Sequence, residues 1–214
     1  HLTGILYLLI IYASKHLHIV EASMDKTSEK IIDATMELIL ECGYAAATTK
    51  DIAVRAGVNE CTIFRKFGEK KEIVVEGMKL PRWHPNITKD TFADISGDLR
   101  TDLTMFMENY MREVTPEFVK LSVGLRSPQI YEYTAPIIMN IPQVFLSEVK
   151  KYLQTMQRLG KVRQINIDQT AEMFLSAAFG YVFLTASFGK GLLNSDRAAY
   201  IESTVNAVIG GIAQ

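Results

Sequence analysis

The densest run of side chains able to do chemistry lies between Asn59 and Lys71, where Arg65, Lys66, Lys70 and Lys71 stand against Glu60 and Glu69. Four cations and two carboxylates leave a local excess of +2, in a chain whose formal net charge is -1. Guanidinium and ammonium groups at that density bind phosphate oxygens, as a planar fork or as point charges. The chain balances 23 Lys and Arg against 24 Asp and Glu, so a general basic coat is excluded. Any contact with a polyanion has to come from this one patch. Catalytic chemistry finds no comparable cluster. His1, His16, His18 and His84 lack metal-ligand spacing, and phosphate-cradling glycine loops and the GxSxG elbow are absent. The expectation is a protein that is not an enzyme and carries no metal or cofactor. Cys42 and Cys61 form neither a disulfide framework nor a zinc site and fit a reducing cytoplasm.

On an arbitrary helix a +2 patch is a solvated face, so its meaning depends on the elements that carry it. Thr48 or Thr49 caps a short helix through about Ala56, with Asp51 placed for its first-turn donors. Gly57 permits a sharp turn, Val58 fills the angle, and Asn59 caps a second helix over about 60–66 that ends at Gly68. Two short helices joined steeply by a glycine turn make a helix-turn-helix, whose second helix enters the DNA major groove. Helical periodicity also fills the flanks. Residues 28–42 carry Ile31, Thr35, Leu38 and Cys42 on one stripe, with Gly43 suited to end the helix. Residues 98–114 carry Leu99, Leu103, Phe106, Tyr110 and Val114, and Thr115-Pro116 opens a further helix. Residues 142–159 read as one helix and about 195–210 as the last, with Ile201, Val205, Val208 and Ile212 on one side. Residues 169–188 are apolar on every side, which predicts burial all round, against a second subunit as well as the chain's own core. Alternating strand patterns are absent, so the fold class is all-α.

Residues 28–78 resemble the TetR family of bacterial repressors. The landmarks are Thr48-Thr49, Ile52-Ala53, Ala56-Gly57-Val58, Thr62-Ile63-Phe64, Phe67 and Lys70, in the family's order and spacing. Further along, Gly160-Lys161-Val162-Arg163 followed by Ile167-Asp168 is similar to the loop before the family's penultimate helix. The resemblance implies an N-terminal three-helix DNA-binding domain over 24–78 and a helical ligand-binding and dimerisation domain over 79–214. It assigns Thr49 and Lys50 to phosphates and places Asn59, Glu60, Cys61 and Thr62 on the leading face of the recognition helix. Phe64 stands where the family usually has a phosphate-binding Tyr, so that hydrogen bond is missing. Lys66 replaces a His or Tyr and can restore a phosphate contact as a charge. Lys70 would add its ammonium to a helix dipole against a phosphate, and Arg65 is a further backbone or base contact. Glu60 repels phosphate unless it accepts from a cytosine amino group. Cys61 stands where a small residue lets the backbone approach DNA.

The same resemblance implies a small-molecule pocket in the second domain and a homodimer formed through the last two helices. Trp83, Phe106, Tyr110, Tyr131, Phe145 and Phe174 are its candidate lining, on faces with few charges, so the expected effector is mainly apolar or aromatic. The expected function is a ligand-responsive repressor on a palindromic double-stranded operator. The connection over 79–97, with Pro81, Trp83 and Pro85, would transmit the effector's signal. The alternatives are a ligand-blind DNA-binding dimer and a helical protein associated with lipid or a membrane surface. Residues 1–23 do not match the rest. Their nine-residue apolar run, Ile5 to Ala13, is too short to span a membrane and lacks the leading basic residues of a secretory signal. Met24 and its polar successors read as a natural start, which makes 1–23 upstream or expression-derived sequence expected to pack on this chain or a neighbour.

Overall fold

The computed structural model describes residues 24–213, and the chain divides into two compact units that meet in sequence between Leu80 and Pro81. In the first unit, α1 (Lys26–Ala46) begins at Asp25, whose side chain accepts from the Thr27 and Ser28 amides. It breaks at Gly43 (φ 81°, ψ 165°), one residue beyond the predicted stripe. Then come α2 (Thr49–Ala56), α3 (Glu60–Phe67) and α4 (Lys70–Gly77). Helix α1 packs on α2 and α4, and α3 joins α2 and α4. Ile31, Ile32, Met36, Ile39, Ile52, Ile63, Ile73 and Val74 form a fully buried core. Gly77 makes close packing of α4 on α1 possible, because a Cβ there would stand 3.1 Å from both Ile32 Cγ2 and Met36 Sδ.

The second unit contains α5 (Leu99–Glu113), α6 (Pro116–Gly124), α7 (Tyr131–Arg158), α8 (Ile167–Phe188) and α9 (Arg197–Ile212). A 3-10 turn over Lys89–Phe92 packs against α5 and α7. Buried Asp102 fastens the loop before α5, accepting from the Ser96 amide and hydroxyl at 2.7 Å and from the Gly97 amide at 2.9 Å. Helix α8 packs on α5, α6 and α7, and α9 packs on α5. Phe145 sits at the centre of an aromatic core, 4.8 Å from Tyr110, 5.6 Å from Phe92 and 5.9 Å from Phe174 between ring centroids. At the other end of the unit the Arg163 amide and guanidinium donate to the Ile212 and Gly211 carbonyls, and Val162 bridges Ala213.

One expectation from sequence is corrected here. The helix expected over 142–159 begins at Tyr131 and carries Pro136 and Pro142 inside it. The chain passes through Pro142 without an N–H for the Ile138 carbonyl, although proline is at home only in a first helical turn. The helix expected to be buried against a second subunit as well as the chain's own core buries one stripe within this chain, Ala171, Phe174, Ala178, Val182 and Ala186. Met173 and Phe188 remain 56% and 61% exposed, because one chain supplies neighbours on one side only. This helix is long and apolar enough to cross a membrane by length and composition, although its inner stripe is spent on α5, α6 and α7. Among the described residues there is no strand, and the expectation for residues 1–23 lies outside them.

Candidate nucleic-acid interface and ligand cavity

The first unit builds a rigid two-helix head from local capping. The Thr48 hydroxyl accepts from the Asp51 amide at 3.1 Å, which satisfies a first-turn donor of α2. Gly57 ends α2 in the left-handed conformation (φ 65°, ψ 38°), where an L side chain is strained. The Val58 amide closes the turn on the Ala53 carbonyl at 3.0 Å. Asn59 then caps α3 by accepting from the Cys61 amide at 2.8 Å. Within α3 only Ile63 is buried, so nearly the whole helix surface is free for another molecule.

That surface is not uniformly free. Lys50 and Arg65 are exposed, and their side chains make no hydrogen bond or ion pair among the described residues. Cys61 is an exposed thiol, Thr62 is half-buried, and Phe64 is 51% exposed with no polar atom to offer. Thr49 and Glu60 are engaged with each other, the hydroxyl donating to the carboxylate at 2.5 Å across the two helices of the motif. Lys66 pairs with Asp25 at 2.8 Å, and that ammonium, followed by the Ser28 hydroxyl, holds the Asp25 carboxyl well below the usual carboxylate range.

Lys70 has a different role from the phosphate contact expected of it. Its ammonium donates to the Tyr44 and Ala47 carbonyls at 2.6 and 2.7 Å and lies 4.0 Å from the centroid of the Tyr44 ring. Burial pushes its pKa down. The group closes carbonyls at the frayed end of α1, where a helix needs outside donors. Arg55 adds a bidentate pair with Glu41, both bonds 2.7 Å, tying α2 to α1. These cross-links set the head's shape and leave Lys50 and Arg65 as the uncommitted cations of its two-helix motif among the described residues.

The second unit holds a partly open cavity of about 270 Å³ between α5, α6, α7 and α8, close to the lower end of the ~300–1,000 Å³ typical of small-molecule sites. Of the expected lining residues it uses Tyr110 and Tyr131. Phe106, Phe145 and Phe174 are at most 1% exposed and line no part of it, because they are spent on one another in the core. Trp83 is half-buried on the connection and is also absent from the wall. The wall instead includes Phe118, Arg126, Ile138, Pro142 and Phe179, which sequence reasoning missed. Pro142 carried the one available signal: a helix-interior proline opens space where its i−4 carbonyl would have been paired. His84, on the connection, reaches the back of this wall. Its Nε2 lies 3.3 Å from the Ile137 carbonyl and its ring packs edge-on against Phe118 at 5.6 Å.

Residues 31–76 match the family model described as bacterial regulatory proteins, tetR family. Over 190 residues the chain is 28% identical to YvkB, an HTH-type transcriptional regulator of Bacillus subtilis (strain 168), covering 89% of this chain and 99% of that protein. Its fold is similar to that of NalD, the secondary repressor of the MexAB-OprM multidrug efflux pump in Pseudomonas aeruginosa, with a TM-score of 0.67 and 15% identity. That match covers 88% of this chain and 96% of NalD. It is also similar to a TetR family transcriptional regulator from Pseudomonas syringae pv. tomato str. DC3000, with a TM-score of 0.63 and 19% identity over 89% of this chain and 98% of that one.

Proposed function

We propose that the chain is a DNA-binding transcriptional regulator of the TetR type, a ligand-released repressor that binds a palindromic operator as a homodimer. In this reading residues 24–78 read DNA, and 79–214 hold the effector and the dimer contact. The observation that carries the regulatory half is the cavity, whose wall is mainly aromatic and aliphatic and which no side chain of the described residues fills. A mainly apolar small molecule suits such a wall, since it exchanges water for apolar contact there. The dimer contact falls on α8 and α9. Met173, Phe188 and nearby Leu192 expose apolar surface, and α9 offers the small exposed Ala198, Ala199, Ala207, Gly210 and Gly211, which allow close approach. A twofold dimer sets two copies of α3 one helical turn of DNA apart, about 34–36 Å.

Release follows from differential affinity. An effector that binds better to a dimer with mismatched head spacing lowers operator affinity by the ratio of its two affinities. His84 supports a route for that signal, because it fastens the connection to Phe118 and Ile137, beside the cavity wall. On DNA, Lys50 and Arg65 are the cations of the two-helix motif available without breaking an existing bond, and Asn59, Cys61 and Thr62 stand on the leading face of α3. The cytoplasm, where bacterial DNA lies, is the place this reading requires.

The test is binding of the purified protein to DNA from its own upstream region across a salt series. Sequence-specific binding with a steep salt slope, weakened by Arg65→Ala and relieved by a cavity-filling ligand, supports the reading. Binding indifferent to sequence and to Arg65, or specific binding that no cavity ligand alters, overturns the corresponding half.

A further inference from the structure

Resting on the cavity as the effector site, we infer that the effector is an apolar molecule with one carboxylate headgroup, received by Arg126 and Tyr110. Arg126 is the sole charged residue in the described wall, and no Asp or Glu lines it. Its guanidinium makes no ion pair or hydrogen bond among the described residues and stands exposed, at the solvent side of the wall. Tyr110 is 1% exposed, and its hydroxyl likewise has no partner among the described residues. Burial raises the Tyr110 phenol far above its ordinary value, so the group stays protonated and can donate.

The remaining polar groups of the wall confirm this bias toward donors. The Ser122 hydroxyl already donates to the Val119 carbonyl at 2.8 Å and the Ser176 hydroxyl to the Glu172 carbonyl at 2.7 Å. The unspent donors are therefore a five-donor cation and neutral phenols, beside a wall of Phe118, Ile138 and Phe179. A cationic ligand would meet Arg126 with no carboxylate to balance it. A neutral apolar ligand would leave the Tyr110 hydroxyl without a partner as it displaced water from the cavity, and would gain nothing from Arg126 at the rim. A carboxylate accepts from both, as a charge-assisted pair in a partly dehydrated site. The chemistry is recognition alone; no bond is made or broken.

The experiment uses two probe sets on the full chain, each set sharing one carbon body. These are 4-phenylbutyrate, 4-phenylbutanol and 4-phenylbutylamine, and decanoate, decanol and decylamine, with binding measured by calorimetry and by release of operator DNA. In at least one set the carboxylate binds tenfold or more tighter than the alcohol, with the amine weakest. Arg126→Gln removes that advantage, Tyr110→Phe reduces it several-fold, and added salt erodes it. Ala135→Phe and Ser176→Phe, which fill the cavity from α7 and α8, abolish binding. If the alcohol or amine binds as well as the carboxylate, or Arg126→Gln changes nothing, while either filling variant still blocks binding, the anion inference falls and the cavity reading stands. If no probe binds, or binding ignores both filling variants, both fall.

Discussion

The reading head and the helical unit that follows it offer surfaces to other molecules in opposite ways. In the head the informative groups are those that packing leaves over: α3 buries Ile63 alone and presents the rest of its length outward. In the second unit the informative feature is what packing leaves out, a void of about 270 Å³ beside an aromatic core. The frame of the head can be read from residue types, because its caps and its turn are set within a few residues, even where polar groups such as Lys66 and Lys70 are committed to bonds. A cavity cannot, because its lining and the adjacent core draw on the same aromatic and aliphatic residues. Phe145 and Tyr110 lie 4.8 Å apart, and only one of them faces the void.

The contrast breaks most visibly at Phe145. Its truncation to Ala removes the ring that Phe92, Tyr110 and Phe174 share, and it is expected to destabilise the second unit by about 3–5 kcal/mol. Trp83, the chain's one tryptophan, lies in that unit, so its fluorescence during urea unfolding follows the loss. An unchanged midpoint would mean that the core is not organised around this ring.

Within the head, Lys70→Ala and Arg65→Ala separate a cation committed to backbone carbonyls from the one proposed to contact DNA. Lys70→Ala leaves the Tyr44 and Ala47 carbonyls without their donor and should cost about 1–3 kcal/mol of head stability. Arg65→Ala should leave stability within ~0.5 kcal/mol. It should lower DNA affinity and reduce the magnitude of the salt slope by about 1. Thermal melts paired with DNA titrations decide this, and the assignment fails if the two substitutions exchange behaviour. Gly57→Ala is expected to cost about 1–2 kcal/mol, since the turn needs positive φ.

The smallest effect is the response to pH, which should separate the two units. Burial lowers the His84 pKa, so its contribution is present above the ordinary value of ~6.5 and is lost as the pH falls below it. Asp25, lowered by Lys66, contributes fully above ~3.9 and loses that contribution only as the pH falls further. Trp83-monitored melting should therefore weaken between pH 7.5 and 5.5, and His84→Asn should flatten that response. The head should respond to Asp25→Asn most strongly at neutral pH, with the difference from the parent chain closing below pH 4. A head that weakens in the histidine range would contradict this assignment.

The helix-turn-helix was legible because its determinants are local: Thr48, Gly57 and Asn59 cap or turn within a few residues of themselves. The bonds that commit its polar groups were not legible. Lys70 reaches back 26 residues to Tyr44, and Lys66 reaches back 41 to Asp25, separations with no periodic signature. In the second unit the stripes on α5 and α9 were readable from spacing, whereas the start of α7 was not. A local helix rule was overruled there by packing on both sides. Arg126 follows a glycine and a leucine at the end of α6, and nothing in that context marks it.

The contacts that fasten Arg163 to the Gly211 and Ile212 carbonyls have a topological consequence. They join the start and the finish of a segment of about fifty residues, so α8 and α9 form a circuit closed at its base. The Tyr200 hydroxyl, donating to the Ala177 carbonyl at 3.1 Å, adds a rung between the two helices. Sliding of one helix along the other cannot be taken up at their joined ends. It has to be absorbed at the opposite pole, in the Gly189–Gly191 turn, where Gly189 already has φ 65°. The pair that carries the exposed apolar surface is thus hinged at its glycines and clasped at its base.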